Sequence, residues 1–296
     1  MKLAAAVIIY HPDNHLLNNI LSYATKVATV YAFDNTPLGG NTFYREELKQ
    51  VKNLVLLADD TNKGIAIRLN QAAKMALADG FDWLLLMDQD SRFELTTFNR
   101  YLIELEKLQE TNSHLALVGI NNSPKTLADS REEIPNYLWQ DVAIITSGSC
   151  ISLQHYVQTS GFDEALFIDG VDHLYALTML SHNFSTVKLA HLYLIHPLGN
   201  MVKRASIKTL FIKKKEKAVH SALRCYYIYR NKLYIEKKFG KQFPKQVKLI
   251  AKTANDVISR SFFYGGEAMK IILSVIAAYI DFYRNNMGKK RNAENT

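Results

Sequence analysis

Apolar residues in the first third of the chain fall into short unbroken blocks. Leu3 to Tyr10, Val27 to Phe33, Asn53 to Ala58 and Trp83 to Met87 are such blocks, and continuous apolar runs of this length predict strands buried on both faces, as at the centre of a parallel sheet. Each run stops in polar or acidic residues: His11-Pro12-Asp13, Asp34-Asn35-Thr36-Pro37, Asp59-Asp60 and Asp88-Gln89-Asp90. Between the first two, Leu16, Leu17, Ile20 and Leu21 repeat at helical spacing. Ile65 to Leu77 reads as an Ala-rich amphipathic helix introduced by Asn62-Lys63-Gly64. Strands alternating with helices predict a right-handed α/β unit with a mostly parallel sheet.

Further along, Leu95 to Leu108 predicts a helix and Leu115 to Ile120 a strand. Asn121 to Asp141, with Pro124 and Pro135, reads as irregular, and Val142 to Ser147 as a strand closed by Gly148 and Ser149. A helix over about 171 to 180 and a last strand, Thr186 to Ile195, ending at His196-Pro197, complete this part. From Lys203 onward the pattern reads as helical and basic, with Lys213-Lys214-Lys215 and the run His220 to Asn231. The expected organisation is a catalytic domain over 1–200 and a helical basic region over 201–296.

Charge sharpens that boundary. Of 36 Lys and Arg and 28 Asp and Glu, 22 basic and 6 acidic residues lie from position 201 onward, net +16, leaving net −8 in the first 200. A basic block of this kind suits nucleic acid or an anionic membrane surface, and charge alone does not separate them. Near Glu267 to Tyr283 the apolar run Ile271 to Ile280 is too short to span a bilayer, which takes about twenty residues. It predicts either a packed terminal helix or an interfacial one beside Lys289-Lys290-Arg291. Two distant cysteines, Cys150 and Cys225, point to a reducing compartment. The opening Met1 to Asp13 reads as a strand, not a leader, so a cytoplasmic chain, peripheral on the inner membrane face, is expected.

The candidate chemistry centres on Asp88 and Asp90, two carboxylates where a buried strand leaves the sheet. Ligands of open α/β sheets bind at the carboxyl ends of strands, and carboxylates there suit Mg²⁺ or Mn²⁺ bridging to phosphate oxygens. A solvated acidic turn is the alternative that these residues alone leave open. His196, at the end of another strand, is by residue type more often structural than a ligand.

The motifs VIIYHPD, AFDNT, TNKGIAIRLNQAA, LLLMDQDS, ITSGS, GFDEALFIDGVD, IHPLGN, LRCYYIYRN and AAYIDFYRNNMGKK, in this order, resemble the landmarks of the inverting family 2 glycosyltransferases, within them the rhamnosyltransferase-like group. The resemblance covers nearly the whole chain. It implies a GT-A fold, a nucleotide-sugar donor carried by deoxythymidine or uridine diphosphate, a divalent metal, and a glycan or lipid-linked oligosaccharide acceptor in surface polysaccharide or lipopolysaccharide synthesis. Rhamnose is the first expectation for the sugar, with a uridine-diphosphate hexose or galactofuranose as the alternative, and self-association into a homodimer is open.

By the same resemblance Asp88, Asp90 and His196 are metal ligands and Asp172 is the general base, with Asp169 as its competitor. Tyr10, His11, Asp34, Asn62, Gly64, Asn70, Asp88, Gln89, Gly148 and Ser149 line the nucleotide-sugar site. Arg224, Tyr227, Arg230 and Asn231 are expected to meet acceptor or phosphate, arginine being suited to a phosphate's oxygens. The chain departs from the group after Asp172, with Leu174, Tyr175 and Thr178 where an acid, an aromatic and an arginine are common, and this bears on the acceptor more than on the donor. Rival readings are a non-catalytic relative, a nucleotidyltransferase, which needs a Gly-rich basic loop after the first strand that HPDNH does not provide, and a nucleic-acid-binding module, for which only the Tyr226, Tyr227, Tyr229 cluster speaks.

Overall fold

The computed structural model describes residues 1–122, 135–197, 200–205 and 214–290. Pro124, Lys213 and Arg291, together with Leu198 and Gly199 of the IHPLGN motif, lie outside them.

The chain forms two compact units, Met1–Asp163 with Tyr175–Pro197, and Glu164–Leu174 with Leu198–Thr296. The first is built on an eight-stranded sheet in the order β3-β2-β1-β4-β7-β5-β8-β6. Its strands are β1 (Leu3–Ile9), β2 (Thr29–Asp34), β3 (Leu54–Ala58), β4 (Trp83–Asp88), β5 (Leu115–Asn121), β6 (Tyr137–Trp139), β7 (Ser149–Ser152) and β8 (Ser185–Tyr193). The helices α1 (Leu16–Ala24), α2 (Tyr44–Leu48), α3 (Ile65–Ala78), α4 (Leu95–Thr111) and α5 (Leu153–Tyr156) connect them, followed by α6 (Val171–Ser181).

All of β1 is buried, as the unbroken apolar run requires. It pairs in parallel with β2 and β4. In that register Ile9 stands opposite Asp34 and Ile8 opposite Asp88, so the polar ends of three strands come out along one edge. The α/β sheet expected from the sequence is therefore observed, with β7 and β6 as its antiparallel members.

Three local readings change. The strand expected over 142–147 is found at Ser149–Ser152. Val142 and Ile144 are buried without pairing as a strand, Ile144 filling the space over Gly119, where a Cβ would come within 2.6 Å. Apolar side chains there mark core contact and not a ladder. Within the stretch read as irregular, Tyr137–Trp139 pairs with β8 as an antiparallel edge strand, too short to show a period. The strand ending near Ile195 is not the last, because Asn200–Arg204 (β9) and Lys215–Val219 (β10) form an antiparallel hairpin. Composition had marked that region basic, but Lys215-Glu216-Lys217-Ala218-Val219 has no helical stripe.

The second unit carries this hairpin and the helices α7 (Ala222–Phe239), α8 (Pro244–Tyr264) and α9 (Ala268–Tyr283). Ser221 caps α7 by accepting from the Arg224 backbone N–H at 3.3 Å, and Pro244 opens α8 where a missing N–H costs nothing. Arg230 is fully buried in this unit. Its guanidinium donates to Tyr226 Oη and to the carbonyls of Asn286 and Gly288, and it lies over the rings of Tyr226 and Tyr227. A buried cation is tolerated only when its donors are matched in this way. Arg230→Ala is expected to cost about 3 kcal/mol, because a fully buried side chain is lost and two carbonyls lose their donor. Urea denaturation of the full chain measures it.

Candidate nucleotide and metal site

Past Met87 the chain leaves the sheet through Asp88-Gln89-Asp90, and a short backbone pairing fixes where it goes. Arg92 and Ile195 exchange two N–H···O=C bonds at 3.0 Å, which carries His196 to the acidic turn. Asp88, Asp90 and His196 each place one ligand atom within 4.8 Å of the others. His196 Nδ1 lies 3.6 Å from an Asp90 carboxylate oxygen and 2.6 Å from the buried Ser91 hydroxyl. Two carboxylates and an imidazole suit Mn²⁺ or Mg²⁺, and a held imidazole is the arrangement that metal-binding histidines commonly show. The donor set fits a divalent cation.

Gln89 ties this turn to the end of β1. Its side-chain oxygen accepts from Tyr10 N at 2.7 Å and its amide donates to Tyr10 O at 3.0 Å, while its own carbonyl accepts from Asn19. Gln89 is thus a clamp between two loops and not an open contact for a sugar. The loop it clamps presents Tyr10, nearly half exposed, edge-to-face with His11, an aromatic surface at the carboxyl end of β1.

Asp34 has a different part from the one expected. Its carboxylate has no exposed surface. One oxygen accepts from Thr36 N at 2.8 Å; the other accepts from Tyr44 Oη and Arg45 Nε, each at 2.7 Å. Burial, with the neighbouring Asp34 carboxylate adding to it against a hydrogen bond from Thr36, pushes the Tyr44 hydroxyl up to about 12. As found, Asp34 offers a nucleobase nothing.

Arg45 continues to Asp60 at 2.8 Å, and a second arginine organises the end of β3. Arg68, buried on α3, donates to Asn35 Oδ1 at 2.7 Å, to both oxygens of Asp59 and to Thr61 O. These hydrogen bonds from Arg68 hold the Asp59 carboxyl well below the ordinary carboxylate range, against the opposing effect of burial. Asn62 accepts from Gly64 N at 3.0 Å, and Gly64, at φ +83°, starts α3. Arg45 and Arg68 were missed in the sequence, where nothing near them repeats; the acidic pairs at the strand ends were the available signal.

Asn70 is also structural. Its amide donates to Phe162 O and accepts from Phe162 N and Tyr156 Oη, a fully matched clamp on the Gly161-Phe162 turn. Gly148, at φ +75°, lies where a Cβ would come 2.6 Å from Ile120, so it serves packing beside β4. The Ser149 hydroxyl donates to Thr146 O and is buried.

In the second unit, Asp172 stands in the first turn of α6 and accepts from His173 N at 2.8 Å. Its competitor Asp169, at φ +64°, is ion-paired with Arg224. Asn231 donates to the carbonyls of Ile168 and Asp169. Tyr227 stacks on Phe167 and accepts from Lys290 N. Arg224, Tyr227, Arg230 and Asn231 thus hold the 167–169 loop and the 286–290 segment, where an acceptor or phosphate contact was expected. Leu174 and Thr178, the positions of departure after Asp172, are buried, as is Tyr175, which stacks on Phe162 at 4.2 Å. Packing residues fill those positions.

No protein-family profile matches the chain. A curated dTDP-rhamnosyl transferase, RfbF of Shigella flexneri, is 22% identical over 248 residues, covering 79% of this chain and 79% of its own length. Among solved structures, the mannosyltransferase PcManGT from Pyrobaculum calidifontis, in complex with GDP-Man and Mn²⁺, superposes with a TM-score of 0.58 at 11% identity over 96% of this chain and 81% of its own. TarS 1-349 of S. aureus, in complex with UDP-GlcNAc, gives 0.52 at 13% identity over 98% and 93%. The resemblance read from the motifs stands: the chain is rhamnosyltransferase-like in sequence and GT-A in fold.

Two measurements check the supporting network. Asp34→Ala is expected to destabilise the protein by about 2 kcal/mol by leaving Tyr44, Arg45 and Thr36 N without their acceptor; chemical denaturation reads it. Because the folded Asp59 carboxyl titrates below its unfolded value, its contribution is complete above the ordinary 3.8 and fades as pH falls below it. Asp59→Asn is accordingly expected to flatten the acid limb of a thermal-stability curve against pH.

Proposed function

We propose that the protein is an inverting, metal-dependent glycosyltransferase that takes a sugar from a nucleotide-sugar donor. The observation that carries this reading is the Asp88, Asp90 and His196 cluster at the carboxyl end of the central strand of a GT-A sheet. These three residues would hold Mn²⁺ or Mg²⁺, and such a cation, when bound, neutralises the charge that develops on a leaving diphosphate. The Mn²⁺ in the PcManGT complex supports the choice of ion.

The chain's own residues then divide the work. Ser91 and the Arg92 to Ile195 pairing hold His196 against the acidic turn. Gln89 holds the Tyr10 loop, whose exposed ring pair supplies a stacking surface for a nucleobase. Asp172 is the base that takes the proton from the acceptor hydroxyl as the glycosidic bond to the diphosphate breaks on the opposite face of the sugar. Its preference over Asp169, which is ion-paired with Arg224, rests on the motif resemblance.

Deoxythymidine-diphosphate rhamnose is the donor supported by the curated relative, and a uridine-diphosphate hexose is the second reading, supported by the UDP-GlcNAc held by TarS. The acceptor class, a glycan or lipid-linked oligosaccharide of a surface polysaccharide or lipopolysaccharide, rests on the motif resemblance.

Calorimetric titration with deoxythymidine diphosphate and uridine diphosphate, each with and without Mn²⁺, tests the donor site. Metal-dependent binding, tighter for deoxythymidine diphosphate, is the expected result; folded protein that binds neither overturns the reading. Asp90→Ala is expected to abolish the metal-dependent part of binding. Asp172→Asn is expected to keep binding and to lower turnover about 10²- to 10⁴-fold, measured by sugar transfer or donor hydrolysis.

A further inference from the structure

Helix α9 is a poor fit to a helix packed into a protein core. Among its residues only Ile271 and Ala278 are buried. Met269, Ile272, Leu273, Ile276, Ile280 and Tyr283, together with Tyr279, are between 41 and 69% exposed. At about 100° per residue these seven positions fall within one arc of roughly 120°, and no polar or charged side chain shares it. Lys270, Asp281 and Arg284 project outside that arc, and Ile271 and Ala278 lie on the side that packs within the unit. Tyr279 and Tyr283 pack against one another, tilted, with ring centroids 4.6 Å apart near the helix's carboxyl end, and tyrosine is favoured where an apolar layer meets water.

What covers such a stripe is decided by charge. The last 96 residues carry net +16. Lys241, Lys245, Lys248 and Lys252 are all exposed and repeat at four- and three-residue spacing on and just before α8, so they form one basic row on that helix. Arg284 and Lys289 are exposed just past α9. A second copy of this unit seated on the stripe would bring two bodies of the same large positive charge together. An anionic lipid surface offers apolar depth to the stripe and opposite charge to the lysines. Among the described residues no helix is long and apolar enough to cross a membrane; α9, with 16 residues, is about 24 Å long and suits a position in the plane of the interface.

We propose that α9 docks the protein on an anionic bilayer, with the stripe from Met269 to Tyr283 set into the headgroup layer and the lysines of the same unit held by lipid phosphates. This does not depend on the donor reading, and its test does not use nucleotide.

The test is co-sedimentation of the full chain with vesicles of phosphatidylcholine alone and of phosphatidylcholine with phosphatidylglycerol. Binding to the anionic vesicles only, weakened by added salt, is expected. Leu273→Asp with Ile276→Asp, both at exposed positions, should lower the partition coefficient at least about tenfold with an unchanged circular dichroism spectrum. As a second measurement that preserves the apolar face, an environment-sensitive fluorophore on Leu273→Cys should shift to the blue on anionic vesicles; the native Cys150 and Cys225 are buried. Wild-type protein that stays in the supernatant, or equal binding to neutral and anionic vesicles, overturns the proposal. A dimer in sedimentation velocity that the double variant dissociates, without vesicle binding, also overturns it and assigns the stripe to a second copy.

Discussion

Strand β4 cannot show charge until it leaves the sheet, and the candidate site follows from that constraint. Trp83 to Met87 are buried between β1 on one side and β7 on the other. Ionised groups inside that layer would cost far more than a domain can offset. The first position able to carry a carboxylate is therefore Asp88, and the turn that follows must be held from outside the strand. Three contacts do so: Gln89 to the Tyr10 backbone, Asn19 to the Gln89 carbonyl, and the Arg92 to Ile195 pair. The last of these joins positions far apart in sequence and turns two aspartates into a three-ligand cluster.

Legibility in the sequence followed the same division between burial and pairing. Fully buried strands were readable because their runs are uninterrupted, and so was the acidic edge where they end. β7 was misplaced because its buried residues begin and end in serine, while the apolar residues before it pack without a ladder. The hairpin of β9 and β10 was hidden because a basic segment suggests a solvated helix by composition, although its backbone pairs antiparallel. At the candidate site, the aspartates were legible from type and position and His196 only from the motif resemblance, and the fold brings the three together. Asp34 and Asn70 had the right types and the wrong surroundings. Whether a carboxylate or amide faces a ligand or a neighbour is decided by distant partners such as Arg45 and Phe162, which leave no local pattern.

The run from Arg224 to Asn231 shows why helical spacing alone does not separate a binding face from a packed one. Tyr227, Arg230 and Asn231 share one face, as residues at three- and four-residue spacing must. In the folded unit that face meets the 167–169 loop and the 286–290 segment, and every one of these side chains is matched by protein groups. Arginine and asparagine were chosen there for the same reason they suit phosphates, since both present several donors in fixed directions. Backbone carbonyls at the ends of loops are as good a target. The consequence is a bonded frame around the 167–169 loop, in which the Asp169 carboxylate is paired with Arg224 and Asp172, in the first turn of α6, accepts from His173 N.

The same unit is matched on one side and unmatched on the other. Arg230 and Asn231 are held by protein acceptors, yet the outer face of α9 leaves seven apolar side chains exposed. Scattered exposed apolar residues are ordinary on a protein surface, but a contiguous stripe without one polar interruption is not what random surface drift yields. α9 holds its place through the contacts of Ile271 and Ala278 and through the Asp281 carboxylate, which accepts from Tyr226. That anchoring makes the exposed stripe available without unfolding. A helix fixed on one face by apolar packing and a hydrogen bond and bare on the other has the construction of a surface built to be covered, and the positive charge around it narrows what can cover it to something anionic.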